Sequence, residues 1–261
     1  MERKPNKLRS KLSAGGTVTG SVMYSWSPNV MEVGGYAGLD FMRIDNEHAW
    51  RQDATMEHLM RAAHCADIVP LVRVDKGNPY LIRKALEIGA GGVIVPNVRT
   101  VEDAQAVVHA SRFPPSGTRG YSGQCWSAGW GTAAGEEWIE WSDAEPMIGV
   151  MIEDQRAMEC VDEILALDGL DFALFGPADY AMSLGWRQTA KDSDEVQWAL
   201  ARTIEAAQRA NKHVMLGVAL EEEELRRYHA MGVTMFEFVA DIKVLLAGWG
   251  EGSEIVRGFA R

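Results

Sequence analysis

The chain has little of what would mark it as secreted, membrane-spanning or nucleic-acid-binding. Its 261 residues include only three cysteines. Cys65, Cys125 and Cys160 stand far apart and outside any C-x-x-C spacing, which argues against a disulfide framework or a zinc site and fits a reducing compartment. No stretch approaches the roughly 18 apolar residues of a membrane span. The N-terminus is basic (Arg3, Lys4, Lys7, Arg9, Lys11) but lacks the apolar core of a secretory leader. Basic charge is scarce overall: 26 Lys and Arg against 37 Asp and Glu leave a net charge of −11. That balance argues against phosphate-backbone or anionic-membrane binding, although a small anionic substrate stays open because local charge decides it. A glycine-rich phosphate turn after an early strand is also missing; Ala14, Gly15 and Gly16 come before the first strand instead, which counts against a doubly wound dinucleotide fold. The expectation is a soluble cytoplasmic protein with no nucleic-acid or membrane partner.

What the chain does have is rhythm. Apolar runs of strand length fall at 16–24, 39–46, 68–74, 92–98, 146–153, 171–177, 213–220 and 233–240. Helix-like segments lie between them at 55–66, 79–88, 101–112, 155–167, 193–210 and 221–231. The strands read as continuous apolar runs, as in a parallel sheet covered by helices on the outside. Eight β-α units in about 250 residues make an α/β chain of the (β/α)8 TIM-barrel type, spanning 1–261 as one domain. A hydrophobic content of 47% supplies a core of that size. Segment 113–145 breaks the rhythm: it is rich in Gly, Ser and Trp, and a loop this long in a compact barrel is more often functional than idle. We expect it at the active site or a subunit interface. The acidic run at 221–224 reads as the solvated first turn of a helix.

The informative feature is a matched pair of acidic tips. The run from Ile148 ends in Glu153, and one β-α unit later the run from Phe172 leads through Gly176 and Pro177 to Asp179. Two carboxylates at one rim of a parallel sheet suit a hard divalent cation that keeps several waters. The alternative is a helix cap, for which Asp154 is the better candidate on the first tip. Gly176 and Pro177 also present the amides of Ala178 and Asp179 at a helix start, where a carboxylate binds readily. Asp45, Glu47 and His48 follow the second strand and Arg73 ends the third, so all of these fall at C-terminal strand ends, where barrel enzymes keep their active sites. His48 is the general acid/base candidate because its ordinary pKa is near neutrality. It stands apart from His58, His64, His109, His213 and His229, which occupy helical or strand-start positions. Arg73 lies in an apolar strand and needs an anionic partner, either a substrate oxygen or Asp45 or Asp75. Lys76 sits nearby, but nothing marks it as an amine nucleophile.

At these residues the chain resembles the HpcH/HpaI family of class II, metal-dependent pyruvate aldolases of the phosphoenolpyruvate/pyruvate superfamily. The resemblance rests on the segments 37–48, 70–73, 85–90, 112–120, 151–153 and 175–179 and on the closing Gly232, Ala240 and Asp241. It implies that Glu153 and Asp179 hold Mg²⁺ or Mn²⁺, with Co²⁺ as a further choice. It implies that a 2-oxo acid such as pyruvate chelates the ion while the Ala178 and Asp179 amides, beside Gly176, hold its carboxylate. His48 looks like the base, acting through a water, and Arg73 like the residue that steadies the keto oxygen. Asp45 joins this catalytic set. Glu87 looks like the acidic partner that orients the histidine across a subunit contact in a homohexamer. Such an enzyme cleaves a 4-hydroxy-2-oxo acid to pyruvate or hydroxypyruvate and an aldehyde, through an enolate stabilised by a Lewis acid. The alternative is a related lyase or decarboxylase acting on CoA esters or oxaloacetate.

Three departures from the family pattern bear on specificity. Met151 stands where a glutamine is usual, and Glu87 is one methylene longer than the usual aspartate. The long loop has Gln124, Cys125 and Trp126 where some relatives carry arginines for a carboxylated aldehyde. A neutral or hydroxylated aldehyde is therefore expected, with Tyr121, Trp126 or Trp130 lining its pocket, unless those rings serve packing or an interface.

Overall fold

The fold is seen in a computed structural model that describes residues 4–48, 54–75, 78–187 and 190–259; Lys76 lies outside these. Eight parallel strands close into a barrel in chain order. They are β1 (Val18–Met23), β2 (Phe41–Asp45), β3 (Val69–Arg73), β4 (Gly92–Val95), β5 (Met147–Ile152), β6 (Phe172–Phe175), β7 (His213–Gly217) and β8 (Met235–Phe238). Every one falls inside an apolar run named above, and the (β/α)8 expectation holds. The helices are α1 (Lys7–Ser13), α2 (Pro28–Tyr36), α3 (Thr55–Cys65), α4 (Pro79–Glu87), α5 (Val101–Ser111) and α6 (Glu136–Ala144). They continue with α7 (Gln155–Glu159), α8 (Val161–Leu165), α9 (Pro177–Ser183), α10 (Asp194–Arg209), α11 (Glu222–Met231) and α12 (Asp241–Gly258). The single helix expected at 155–167 breaks at Cys160, whose φ of −132° leaves the helical region.

Because successive side chains on a strand point to opposite faces, closure sorts the strand residues into two cores. Met42, Ile44, Val72, Val93, Val95, Ile148, Val150, Ile152, Ala173, Val214 and Leu216 face outward and pack with the helices. Val18, Phe41, Leu71, Ile94, Met147, Met151, Phe172, Leu174, Met215 and Met235 face inward and fill the barrel. Two glycines make that filling possible. A β-carbon on Gly20 would sit 2.4 Å from the ring of Phe41, and one on Gly149 would sit 2.4 Å from the ring of Phe172.

The bottom of the barrel, at the N-terminal strand ends, is plugged by α1, a helix too short and too basic to stand out in the sequence. Its Leu8 and Leu12 join the inner core. Asn6 caps the helix by accepting from the Leu8 amide at 3.0 Å, and its own side-chain amide donates to the Gly91 carbonyl at 2.6 Å. The basic residues of the N-terminus are the fasteners. Arg9 pairs with Asp171 at 2.7 Å, Lys11 with Asp40 at 2.8 Å, and Lys7 with Asp67.

Segment 113–145 carries more structure than a loop: a 3-10 turn at Trp126–Gly131, helix α6, and a small core of Phe113, Ala128 and Trp138. It connects a helix to a strand, so it lies at the N-terminal end of the barrel. At the other extreme, α12 leaves most of its apolar side chains bare; Leu246 and Trp249 are 71% and 70% exposed. Among the described residues no helix is long and apolar enough to cross a membrane.

Leu8 is fully buried in the inner core. Leu8→Ala should therefore lower unfolding free energy by about 2–5 kcal/mol, measured by urea titration, whereas Ala at exposed Lys4 should change it little.

Candidate active site

The inward row of residues changes character on the way up. Below, it is apolar; at the C-terminal ends it becomes Arg43 and Asp45 on β2, Arg73 on β3, Glu153 just past β5 and Glu237 on β8, all of them buried. The barrel mouth is therefore a ring of charge set on a hydrocarbon floor.

Asp45 is the most connected member. It is fully buried and faces Arg73 directly in the β2–β3 register. Its Oδ2 accepts from Arg73 Nη2 and, at 3.4 Å, from Arg43 Nη1. Its Oδ1 accepts the backbone N–H groups of Glu47 and His48, each at 3.0 Å, which shapes the turn that carries the histidine. Burial alone would raise the Asp45 pKa, but the Arg73 guanidinium and the hydrogen bonds hold it below its ordinary value. Tyr24, just after β1, has its phenol pushed up, first by burial and then by the Asp45 charge.

The partner of Arg73 is thus divided. Nη2 goes to Asp45, Nη1 to Glu47 at 2.9 Å, and Nη1 also lies 3.6 Å from the Met151 sulfur. Its Nε is buried with no hydrogen-bond partner among the described residues, an orphaned donor in the mouth of the barrel. Glu47 is central here, although its place beside His48 in the sequence carries no sign of such a role. It also accepts from the Asn97 side-chain amide at 3.2 Å and lies 3.7 Å from His48 Nε2. Burial raises the Glu47 pKa, and the Asp45 and Asp179 charges add to that. The His48 ring is largely exposed, its side chain being 59% accessible, so it can exchange protons with water. The other described histidines sit on α3, α5, α11 and at the start of β7.

Glu153 and Asp179 come together at neighbouring strand ends. Glu153 is buried and accepts the Asn97 backbone N–H at 2.6 Å. Its pKa is pushed up to about 7, first by burial and then by the Asp179 and Glu47 charges, against that hydrogen bond. Among the described residues, Glu153, Asp179 and Glu47 crowd here with the Arg73 guanidinium. Asp179 is the third residue of α9, whose N-cap is Gly176 with no side-chain cap bond, so the capping alternative for Asp179 does not apply. Asp154 takes that role on α7, accepting from the Arg156 amide at 2.9 Å. The first intrahelical bond of α9 runs from the Tyr180 amide to the Gly176 carbonyl, leaving the Ala178 and Asp179 amides without an intrahelical acceptor. Gly176 is required by close approach: a β-carbon there would lie 2.9 Å from Glu153 Cβ and 3.0 Å from its Oε2.

Two expected members are elsewhere in the chain. Glu87 ends α4, which runs back down the barrel wall, so it lies at the opposite end from His48, 3.8 Å from Arg83 Nε. Trp126 is also at the base. Its ring covers Gly89 and lies 5.9 Å from His64, lining a cavity of about 200 Å³ with Val69, Pro70, Gly91 and Pro146 at the strand starts. Within one chain it cannot line a substrate pocket at the mouth, and the reason is connectivity, since only strand-to-helix loops reach that face. Tyr121 packs on Trp138 in the same basal segment, and Trp130 is exposed there. No group of three or more His, Cys, Asp or Glu forms a full ligand set among the described residues.

Residues 21–247 match the HpcH/HpaI aldolase/citrate lyase family. The chain is 34% identical over 208 residues to the 2-keto-3-deoxy-L-rhamnonate aldolase of Klebsiella pneumoniae, covering 79% of this chain and 77% of that protein. It is 31% identical over 251 residues to the hydroxypyruvate/pyruvate aldolase of Roseovarius nubinhibens, covering 94% of each. Among solved structures, that of the citrate synthase SbnG superposes with a TM-score of 0.85 at 30% identity, covering 97% of this chain and 98% of that one. A match that begins within β1 and ends within α12 takes in strands β2 to β8 whole, and the chain belongs to the HpcH/HpaI aldolase/citrate lyase family.

Proposed function

We propose that this chain is a divalent-metal-dependent aldolase that reversibly cleaves a 4-hydroxy-2-oxo acid into pyruvate or hydroxypyruvate and a neutral or hydroxylated aldehyde. The observation that carries the reading is the pair of rim carboxylates, Glu153 and Asp179, with the buried Glu153 pushed up to about pKa 7 by burial and by the charges of Asp179 and Glu47. The names of the two aldolase relatives agree with it. The donor set fits the ion: two oxygen ligands leave the remaining positions to water and to a chelating 2-oxo acid, as Mg²⁺ or Mn²⁺ prefers. When bound there, the cation supplies Lewis-acid polarisation of the keto group.

The chain's own residues do the rest. The Ala178 and Asp179 amides hold the substrate carboxylate, and the orphaned Arg73 Nε–H donates to the keto oxygen. His48, through a water, takes the proton from the C4 hydroxyl; the C3–C4 bond breaks, the aldehyde leaves, and the electron pair moves to the C2 oxygen as the enolate. The same proton returns to C3 to give the product. Donors aimed at an oxygen that gains charge only as the bond breaks lower the barrier rather than merely bind. Asp45 fixes Arg73 and the turn of His48.

Residues 1–261 act as one aldolase domain in a cytoplasmic homo-oligomer, a hexamer by resemblance. The bare apolar face of α12 is covered by a neighbour, and Glu87 of the partner subunit, with the 113–145 segment, completes each site. Addition of a CoA-ester carbon to oxaloacetate is the second reading, favoured by the likeness to SbnG.

Pyruvate release from a panel of 4-hydroxy-2-oxo acids, with and without EDTA, tests the reading. Activity should require a divalent ion, and Glu153→Ala or Asp179→Ala should abolish it in a folded barrel; full activity after exhaustive chelation would sink the metal mechanism. Citrate formation from acetyl-CoA and oxaloacetate, without aldol cleavage, would favour the second reading instead.

The raised Glu153 pKa makes a separate prediction. The native carboxyl holds its proton where the unfolded one, at 4.5, has lost it. Metal-free stability should therefore fall as pH rises from about 4.5 to about 7, by up to about 3 kcal/mol. Glu153→Gln should flatten this slope in urea melts, and Mg²⁺ should raise the Tm of the parent chain more at pH 8 than at pH 5.

His48→Ala should remove aldol cleavage by roughly 10²–10⁴-fold yet spare much of the metal-promoted decarboxylation of oxaloacetate, which needs no base to begin. Equal losses in both would give His48 a structural role. Leu246→Glu with Trp249→Glu should split the oligomer in light scattering and remove activity before the barrel unfolds; a fully active monomer would refute the shared site.

A further inference from the structure

Arg43 and Glu237 are two buried charges that the mechanism above does not use. They lie 194 positions apart in sequence, on β2 and β8, with β1 between them. The contact is bidentate: Arg43 Nε donates to Glu237 Oε2 at 2.5 Å and Nη2 to Oε1 at 2.7 Å. Both strand neighbours of Glu237 in register are glycines, Gly20 and Gly217, so no inward side chain beside it blocks the reach over β1. Arg43 Nη1 then points up the barrel to Asp45 Oδ2, at 3.4 Å. Although burial would lower it, the Glu237 carboxylate raises the Arg43 pKa, so the guanidinium stays charged.

This is a costly arrangement for a place where apolar side chains would fill the same space. Buried ion pairs seldom outdo well-packed hydrocarbon in stability. A pair held at such cost points to a task, and among the described residues its hydrogen bond outside itself goes to Asp45, with the Tyr24 phenol a further electrostatic neighbour.

We propose that Arg43 and Glu237 are positioning residues: Glu237 fixes Arg43, Arg43 fixes one oxygen of Asp45, and Asp45 sets both the Arg73 guanidinium and the backbone turn of His48. The relay is Glu237, Arg43, Asp45, then Arg73 and His48. The roles of its last two members rest on the aldolase reading; the relay itself rests on geometry alone. Partners one shell out from reacting groups orient them, and their loss is felt in function rather than in fold.

The test uses Glu237→Gln, Arg43→Met, their double variant and Arg43→Lys in the Mg²⁺-loaded protein. The double variant removes both charges and so folds even where a single one does not. Oxalate, a planar dianion shaped like the pyruvate enolate, is titrated by calorimetry beside pyruvate. Each dissociation constant is read per folded site, so loss of stability alone does not move it. Each single variant should weaken oxalate by about 10-fold with pyruvate within about twofold. The double variant should lose about the same 10-fold and not the product, because the residues act as one unit. Arg43→Lys, which keeps the charge, should recover part of the loss. Unchanged oxalate affinity in folded variants, or losses that multiply in the double variant, would overturn the relay. A second readout needs no ligand: the His48 amide resonance, which reports its bond to Asp45, should shift in every variant. If the parent chain binds neither anion, the aldolase reading fails, and this resonance alone decides the relay: a shift supports it, and a fixed resonance overturns it.

Discussion

Closure of the sheet is the constraint from which the rest follows. Eight parallel strands joined edge to edge leave no free edge and bury both faces of every strand. Each strand must then supply two sets of apolar side chains at alternate positions, one for the helical shell and one for the interior. The interior is narrow, so its contents are fixed in size as well as polarity. Phe41 and Phe172 fit only because Gly20 and Gly149 step aside. Any polar residue in the inward row is therefore placed to within the width of a side chain by strands that cannot slip.

That rigidity is what the mouth of the barrel uses. Arg43, Asp45, Arg73, Glu153 and Glu237 are all buried, and each charge loses hydration that only partners can replace. Four of the five find them in one another. Glu153 does not: burial and, among the described residues, the like charges of Asp179 and Glu47 hold its proton on to near neutral pH. The apolar floor of Val18, Phe41, Phe172 and Met235, sealed by Leu8 and Leu12, supplies the stability against which this poorly neutralised rim is held. Floor and rim are parts of the same strands, one above the other.

Much of this was legible in the sequence because barrels obey a positional rule. A carboxylate after an apolar run sits at a C-terminal strand end, and that rule alone gathered Asp45, His48, Arg73, Glu153 and Asp179 at one face. Other features escaped for physical reasons. Helix α1 is short and polar on its outer face, and its purpose shows only when Asp40, Asp67 and Asp171 are brought beneath it. Helix α2 carries Gly34 and Gly35, poor helix formers on their own. Arg43 and Glu237 each read as one stray charge within an apolar run, since nothing in a linear pattern pairs positions so far apart. The place of Trp126 within its own barrel is not written in the composition of its loop; the order of elements, a helix before it and a strand after it, puts it at the base.

The plug at the base also orders events during synthesis. Helix α1 is made before every strand of the barrel it seals, yet it meets its fasteners only later: Asp40 before β2, Asp67 before β3, Gly91 before β4, and Asp171 before β6. Leu8 and Leu12 have no interior to enter until those strands stand side by side. A helix made ahead of the barrel thus seats only after the strands it seals, and until then its two leucines travel as exposed hydrocarbon on a basic, well-hydrated segment. Its lysines and arginines serve twice, keeping the waiting helix in solution and later fastening it to the closed barrel.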